Sequence, residues 1–228
     1  MRRTALLALI PALTLAACGN DQQSGSDASA AATSVASTSD NAGLQVLLVG
    51  ADQAPEGMTY EDFYATVGGT GMTDNDVIEP AQCGILAFDS ASLLAWGELP
   101  KYETAVAMYT RGEDMALVRL DATPSGLNPD DCNVITRAST SALGTTVTTY
   151  STFPNPVNVA GATNVQYIKQ FVEGQTLDDA PTDTGKVGTS VKIVIGEAGG
   201  KQFTLVGTGD VSPAELAGLA EEQVKKLS

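Results

Sequence analysis

The sequence predicts an α+β domain with a mostly antiparallel sheet of about six strands, helices packed on one face and one disulfide bond. Two strong hairpins and a well-capped C-terminal helix carry this prediction. Residues 105–122 contain two β-rich runs around Arg111-Gly112-Glu113-Asp114, and residues 187–207 contain two more around Ala198-Gly199-Gly200. Apolar side chains recur at helical spacing from residue 216 to residue 227. We expect the sheet face opposite the helices to be wholly or partly free.

The first half of the domain has weaker patterns. The run that opens at Leu44 suits either a helix or a buried strand. Residues 58–67 alternate loosely and predict a strand. A helical stretch is expected from Glu79-Pro80, and a second short helix is expected between the N-cap Asp89 and Gly97.

The second half is more regular. Residues 127–137 predict a short helix with Pro129 in its first turn. Residues 145–153 and 165–172 predict two strands, with a turn at Pro154-Asn155-Pro156 between them. Ser212-Pro213-Ala214-Glu215 combines an N-cap serine, a proline at the first helical position and a glutamate at the third, which together predict a capped helix start.

Charge excludes one class of partner. The 228 residues include 27 acidic and 12 basic side chains, for a formal net charge of −15. Such a surface repels nucleic acid, because binding depends on neutralising phosphates with lysine and arginine. It also repels anionic lipid headgroups, so electrostatics alone would not hold the domain on a membrane.

The N-terminus predicts export. Arg2 and Arg3 precede an apolar run that is too short to span a bilayer, and small residues follow it. Residues 1–17 are therefore interpreted as a signal peptide. Leu15-Ala16-Ala17-Cys18 resembles the bacterial lipobox. In the family of proteins that carry this motif, the cysteine receives a diacylglycerol and becomes the mature N-terminus. The resemblance implies a lipid anchor at Cys18 and a location on the extracytoplasmic face of the cell membrane.

Residues 18–43 predict a low-complexity tether. Serine, threonine, alanine, glycine, aspartate, asparagine and glutamine make up almost all of this segment, which lacks the apolar surface needed to offset the entropy of ordering it. Its hydroxyl content would also suit O-glycosylation, although an unmodified spacer has the same composition. Residues 44–228 are then a single globular domain.

The cysteines predict one disulfide bond. If Cys18 is acylated, Cys83 and Cys132 remain as a pair in an oxidising compartment, where such pairs form disulfides. The alternative is two buried free thiols. A structural zinc site is disfavoured, because two thiolates and no histidine fall short of four ligands.

We expect no catalytic residues. The chain contains no histidine, which excludes a Ser-His-Asp triad and a Cys-His dyad. Paired carboxylates could hydrolyse a glycosidic bond, and Asp130-Asp131 or Asp178-Asp179 would be the candidates. Adjacent residues point to different sides of a helix or loop, so neither pair predicts an enzyme.

We also expect no metal and no cofactor. Asp74-Asn75-Asp76 with Glu79 suggests calcium, but the EF-hand spacing fails and a solvated acidic turn explains it. Gly207-Thr208-Gly209 precedes a helix as phosphate loops do, but the third glycine of the dinucleotide fingerprint is missing. These glycines are interpreted as turns.

The layout resembles a known group. Glu79-Pro80-Ala81-Gln82-Cys83 begins a helix, a second cysteine follows about fifty residues later, and Pro213-Ala214-Glu215-Leu216 opens a helix that ends in Val224-Lys225-Lys226-Leu227. Together with the lipobox and the spacer, this is similar to actinobacterial exported lipoproteins related to the extracellular sensor domain of PknH-type receptor kinases. The resemblance spans roughly residues 44–227. The chain departs from it in having one cysteine pair in the domain instead of two, and no kinase region.

The resemblance implies a non-catalytic domain with a groove for a small ligand, and it identifies no binding residue. We therefore expect a membrane-anchored binding or sensing lipoprotein that takes an apolar or amphipathic envelope molecule. The alternative is a structural or interaction protein of the envelope with a protein partner and no small ligand. Aromatic residues near the expected sheet are the candidates for a binding surface: Tyr60, Phe63, Tyr64, Trp96, Tyr102 and Tyr109. Trp96 by itself favours a role in core packing or at a groove edge.

Overall fold

The computed structural model describes residues 42–67 and 76–228. Within these residues the chain forms ten strands, four α-helices and three short 3-10 helices. The helices are α1 (Ala42–Gln45), α2 (Phe63–Val67), α3 (Ser90–Glu98) and α4 (Pro213–Leu227), and the 3-10 helices are Ala51–Gln53, Ala81–Leu86 and Pro129–Cys132. The strands are β1 (Thr59–Glu61), β2 (Asp76–Glu79), β3 (Thr104–Arg111), β4 (Asp114–Asp121), β5 (Val134–Ser141), β6 (Gly144–Pro156), β7 (Thr163–Leu177), β8 (Ala180–Thr182), β9 (Ser190–Ala198) and β10 (Lys201–Thr208).

All ten strands belong to one sheet. Their order is β1-β3-β4-β10-β9-β7-β6-β5-β2, with β8 paired to β7. Every pairing among them is antiparallel. The predicted antiparallel sheet is therefore confirmed, but the prediction of about six strands is wrong. Both predicted hairpins are present, as β3–β4 and β9–β10.

Two strands lie where the sequence predicted a helix or a turn. The short helix predicted over residues 127–137 is limited to Pro129–Cys132, and β5 begins at Val134. The turn predicted at Pro154-Asn155-Pro156 is the end of β6, which pairs there with β7 alone, because β5 pairs with β6 only as far as Ser151. Proline lacks a backbone N–H. On that free edge no neighbouring strand needs one, so both prolines are tolerated.

Residues 58–67 also differ from the prediction of one strand. Only Thr59–Glu61 is a strand, and α2 follows directly. The carboxylate oxygen Oδ1 of Asp62 accepts hydrogen bonds from the backbone N–H groups of Tyr64 and Ala65, at 3.0 and 3.2 Å. These bonds satisfy N–H donors that the start of a helix otherwise leaves unpaired. Asp62 therefore caps α2 and favours a helix directly after the strand.

Helices pack on both faces of the sheet, which corrects the prediction of one covered face. One apolar cluster joins α1 and α4 to side chains such as Tyr109 and Leu205. A second cluster joins α2, α3 and the two cysteine-bearing 3-10 helices to the opposite face, at residues such as Leu117 and Ile193. We call the second face the disulfide face. The first six residues of β3 are all buried, as expected for a strand that is covered on both sides.

Helix α4 confirms its predicted capping. The Ser212 hydroxyl accepts a hydrogen bond from the Glu215 N–H at 3.2 Å, and the Glu215 carboxylate accepts one from the Ser212 N–H at 2.7 Å. The buried stripe of the helix includes Gln223, whose amide bonds the backbone at Leu47 and Val49. This helix therefore also holds the start of the domain against the sheet.

The predicted disulfide is present. Cys83 lies on Ala81–Leu86 and Cys132 on Pro129–Cys132, and both side chains are fully buried. The alternative of two free thiols is wrong. The bond joins two 3-10 helices that flank the β3–β4 hairpin in sequence.

Several predictions lie outside the described residues. These are the signal peptide, the anchor Cys18, the tether as far as residue 41, and Asp74 and Asn75 of the calcium candidate. The predicted tether boundary after residue 43 falls within α1. None of the helices in the described part of the chain is long and apolar enough to cross a bilayer.

Candidate functional site: a groove on the disulfide face

The aromatic residues proposed from the sequence do not form one surface. Phe63, Trp96 and Tyr109 are core residues with at most 5% of their surface exposed, whereas Tyr102 is 59% exposed. Tyr60 packs with the α4 cluster and Tyr64 packs with the opposite one. The prediction of a core role for Trp96 is confirmed. The six aromatic residues therefore do not define a binding site, and the clefts of the surface provide the candidates.

A groove runs between the 3-10 helix Ala81–Leu86 and helix α3. Its apolar end has a volume of about 270 Å³, and its polar end has a volume of about 500 Å³. The two ends share Ile85, Leu99 and Arg119. We call this feature the amphipathic groove.

The two ends differ in their side chains. The apolar end is lined mainly by Ile78, Ile85, Ala95, Trp96 and Leu99. The polar end includes Gln82, Glu103, Thr104, Arg119, Asp121 and Gln202. The groove therefore gains polar and charged side chains along its length, and its polar end keeps Ile85, Leu99 and Ala122 as apolar surface.

Arg119 lies where the two ends meet. Its guanidinium donates to both carboxylate oxygens of Asp121, with a shortest distance of 2.7 Å, and its Cζ lies 5.0 Å from the centre of the Trp96 ring. Asp121 also accepts a hydrogen bond from Thr104 Oγ1 at 2.8 Å. The ion pair and the ring hold the guanidinium in one orientation. Sequence reasoning did not single out Arg119, although a charged residue inside the apolar run of β4 was an available signal.

A buried polar network supports the apolar end. Arg137 donates to Asp89 and to Ser92 Oγ, and its Nε lies 3.4 Å from Asp76 Oδ2. The Tyr150 hydroxyl donates to Asp89 Oδ2 at 2.9 Å. Asp89 is also the N-cap of α3, as predicted. Its Oδ1 accepts a hydrogen bond from the Ser92 N–H at 3.1 Å. The network therefore attaches the start of α3 to β2, β5 and β6.

The protonation states of this network suit a structural role. Burial alone would raise the pKa of Asp89, but the charge of Arg137 and the hydrogen bonds from Tyr150 and Ser92 outweigh it and lower that pKa. Burial, followed by the nearby Asp89 charge, raises the pKa of Tyr150. Both groups are thus far from titrating at neutral pH, where a general acid or base has to exchange protons.

The disulfide supports the opposite wall. Gln82 and Ile85 line the groove from the same short 3-10 helix that carries Cys83. Such a helix has weak hydrogen bonds of its own. The bond to Cys132 therefore limits the movement of this wall.

The other sequence candidates lie apart from the groove. Asp130 and Asp131 are exposed on a 3-10 helix, and Asp178 and Asp179 form the exposed turn between β7 and β8. Gly209 has φ +62° in the turn before α4, which confirms its interpretation as a turn glycine. Gly207 lies within β10, so its interpretation as a turn glycine is wrong. Within residues 42–67 and 76–228, no group of three metal-ligating side chains converges.

Comparisons with known proteins add little. No protein-family model matches the chain, and no curated protein matches it. The X-ray structure of an uncharacterized protein from Mycobacterium smegmatis, the Rv0999 ortholog, is similar over 82% of this chain and 95% of that chain, with 11% identity and a TM-score of 0.39. A similarity at this level carries no argument about fold family or function, so the resemblance to PknH-type sensor domains stays a prediction.

Proposed function

We propose that this chain is a lipid-anchored, extracytoplasmic binding or sensing domain without catalytic activity, and that it takes a small amphipathic ligand in the amphipathic groove. The observation that carries the proposal is the junction at Arg119 of an apolar hollow with a larger hollow of mixed polar and apolar lining. The volume of the polar end falls within the range of small-molecule sites, roughly 300–1,000 Å³. The predicted anchor at Cys18 would keep the groove near the envelope molecules it samples.

The charges of the groove narrow the ligand class. Its polar end contains two carboxylates, Glu103 and Asp121, against the single guanidinium of Arg119. The net charge of this end is therefore −1, and the guanidinium of Arg119 is already paired with Asp121. A neutral or singly cationic polar group fits this end better than an anion, while an acyl or ring portion would contact Trp96 and Leu99.

Blocking the apolar end tests the proposal. Ala95 lies on the exposed side of α3 and lines this end, so Ala95→Trp should fill it with little effect on folding. We expect wild-type protein purified from its own envelope to carry a small amphipathic molecule in native mass spectra. In the Ala95→Trp variant the bound fraction should fall several-fold.

The matched control is Glu98→Trp. Glu98 is exposed on the same helix and is not among the residues that line the groove. This variant should keep the ligand at the wild-type level. Wild-type spectra that contain only captured proteins and no small molecule would overturn the proposed binding of a small ligand.

That result would favour the second candidate, a protein-interaction role. The half of the sheet face formed by β2, β5 and β6, opposite the disulfide face, keeps large apolar side chains exposed. Val77, Val134 and Phe153 are 57%, 58% and 57% exposed, respectively. Exposed apolar side chains on an uncovered sheet face are the feature that favours this role, because surfaces that bind another protein carry such side chains.

The anchor is tested separately. Replacing Cys18 with alanine removes the only thiol that the lipobox reaction could acylate, so the variant should move from the membrane fraction to the soluble fraction. Immunoblots of fractionated cells measure this distribution. An unchanged membrane association would contradict the lipid anchor, because the acidic domain has no electrostatic attraction for anionic lipids.

A further inference from the structure

A second cleft lies on the disulfide face, beyond Gln202. It has a volume of about 290 Å³ and lies between the segment 126–129 and strands β7, β9 and β10. Four side-chain carboxamides line it: Asn128, Asn164, Gln166 and Gln202. We call it the amide cleft.

The sheet register explains why these residues meet. Gln166 on β7 lies opposite Ile195 on β9, and Gln202 on β10 lies opposite Glu197 on the same strand β9. These positions are adjacent on neighbouring strands, although they are far apart in sequence. The segment that covers them is attached through Ser125, whose N–H and hydroxyl donate to Gln202 Oε1 at 3.0 and 2.6 Å.

One polar atom of the cleft lacks a partner. Gln166 Oε1 is buried, and nothing in the described part of the chain hydrogen-bonds to it. Buried acceptors are nearly always paired, and an unpaired one is costly. Because this oxygen has no accessible surface, a ligand hydroxyl can donate to it only if the Gln166 side chain turns the oxygen towards the cleft, and that bond would remove the cost.

The charges and donors of the cleft indicate the ligand chemistry. Glu197 is the charged residue among its lining side chains, so no lining cation is present to hold a phosphate or a carboxylate. Carboxamides both donate and accept hydrogen bonds, as hydroxyl groups do. Leu127, Pro129 and Ile195 add apolar surface against which C–H groups can pack.

From these observations we propose that the amide cleft binds an uncharged polyhydroxylated molecule of about one saccharide unit. The volume lies at the lower end of the range for small-molecule sites and suits one small unit. The Ser125–Gln202 hydrogen bonds lie between this cleft and the amphipathic groove, which share only Gln202 among their lining residues. The site is therefore independent of the ligand proposed above.

The test is a titration of the ¹⁵N-labelled full chain in detergent micelles, followed through its side-chain amide signals. The neutral probes are glucose, galactose, N-acetylglucosamine and myo-inositol, and the charged probes are choline and inorganic phosphate. At least one neutral probe should shift the signals of Gln166 and Asn164 saturably in the millimolar range. Choline and phosphate should not.

Two variants remove cleft amides, and a third is their control. Asn164 has φ +54°, so Asn164→Gly deletes the amide without straining the backbone, and Gln166→Leu removes the unpaired acceptor. Each variant should weaken binding at least several-fold. If Gln166→Leu fails to fold, Asn164→Gly by itself tests the site. Asn155→Leu alters an exposed amide that lines neither the amide cleft nor the amphipathic groove, and this variant should bind as the wild type does.

Three results would overturn the site: no saturable shift with any neutral probe, equal shifts with the charged probes, or unchanged binding in Asn164→Gly. None of them bears on the amphipathic groove, whose own test uses Ala95→Trp.

Discussion

Replacing Arg137 with leucine is expected to lower the free energy of unfolding by about 3–5 kcal/mol. The Arg137 side chain is only 6% exposed and pairs with Asp89 and Asp76, whose side chains are 15% and 18% exposed. Leucine would leave both carboxylates largely buried without a counter-charge. It would also remove the donor to Ser92 beside the start of α3. Urea unfolding followed by circular dichroism measures the change.

The combination with Asp89→Asn distinguishes charge from packing. Asparagine still caps a helix, and it removes the carboxylate that loses its partner. The double variant Arg137→Leu/Asp89→Asn should therefore be destabilised less than the sum of the two single variants. Additive losses would show that the pair is not coupled.

The stability difference should also depend on pH. Because the pKa of Asp89 is lowered in the folded protein, its contribution is present above the unfolded value near 3.8 and is lost as the pH falls through the folded value. The deficit of Arg137→Leu should consequently be full at neutral pH and should narrow as the pH falls towards the lowered pKa that Asp89 has in the folded wild type. A deficit independent of pH would assign the loss to packing.

Arg111→Leu is the matched control. Arg111 also contacts two carboxylates, Asp114 and Glu215, but its side chain is 35% exposed. Exposed ion pairs contribute little to stability, so the loss in this variant should be clearly smaller than in Arg137→Leu. Equal losses in the two arginine variants would contradict the importance that we assign to burial.

Removing the disulfide is expected to cost about 4 kcal/mol, from the chain-entropy model applied to the 49-residue separation of Cys83 and Cys132. For a domain of this size the melting temperature should fall by roughly 10 °C. Cys83→Ala/Cys132→Ala and chemical reduction of the wild type should give similar values by scanning calorimetry. The reduced protein should also bind its groove ligand more weakly, because Gln82 and Ile85 lie on the turn that the bond holds.

Cys18→Ala serves as the control for both disulfide measurements. It removes a cysteine outside the described domain, so the melting temperature and its response to reductant should match the wild type. A melt of the wild type that reduction leaves unchanged would contradict a stabilising role for the bond.

The best sequence predictions depend on local signals. The β9–β10 hairpin has its glycines in the turn, and α4 has its serine, proline and glutamate at the capping positions. Each signal acts over a few residues, so its physical effect does not depend on the rest of the fold. The disulfide followed from cysteine counting and an expected export signal.

The wrong predictions concern residues whose structure depends on partners that are distant in sequence. Residues 134–137 contain no turn or cap that excludes a helix. They become a strand because β6 pairs with all four and β2 pairs with Thr136 and Arg137 on the other side. The continuous apolar run of β3 indicated burial on both faces, yet we predicted helices on one face only. Both errors concern what lies across the sheet, which local periodicity does not report.

The sequence by itself determined the antiparallel class of the sheet, its two strong hairpins, the capped last helix and the cysteine pair, since each rests on contacts between near neighbours or on composition. Only the tertiary structure decided the candidate sites. Arg119 meets Trp96, Arg137 meets Asp89, and Gln166 meets Ile195 because strand register and helix packing place them together. Register is set by the burial of whole strand faces. A binding site built across several strands therefore becomes visible only when those faces are assembled.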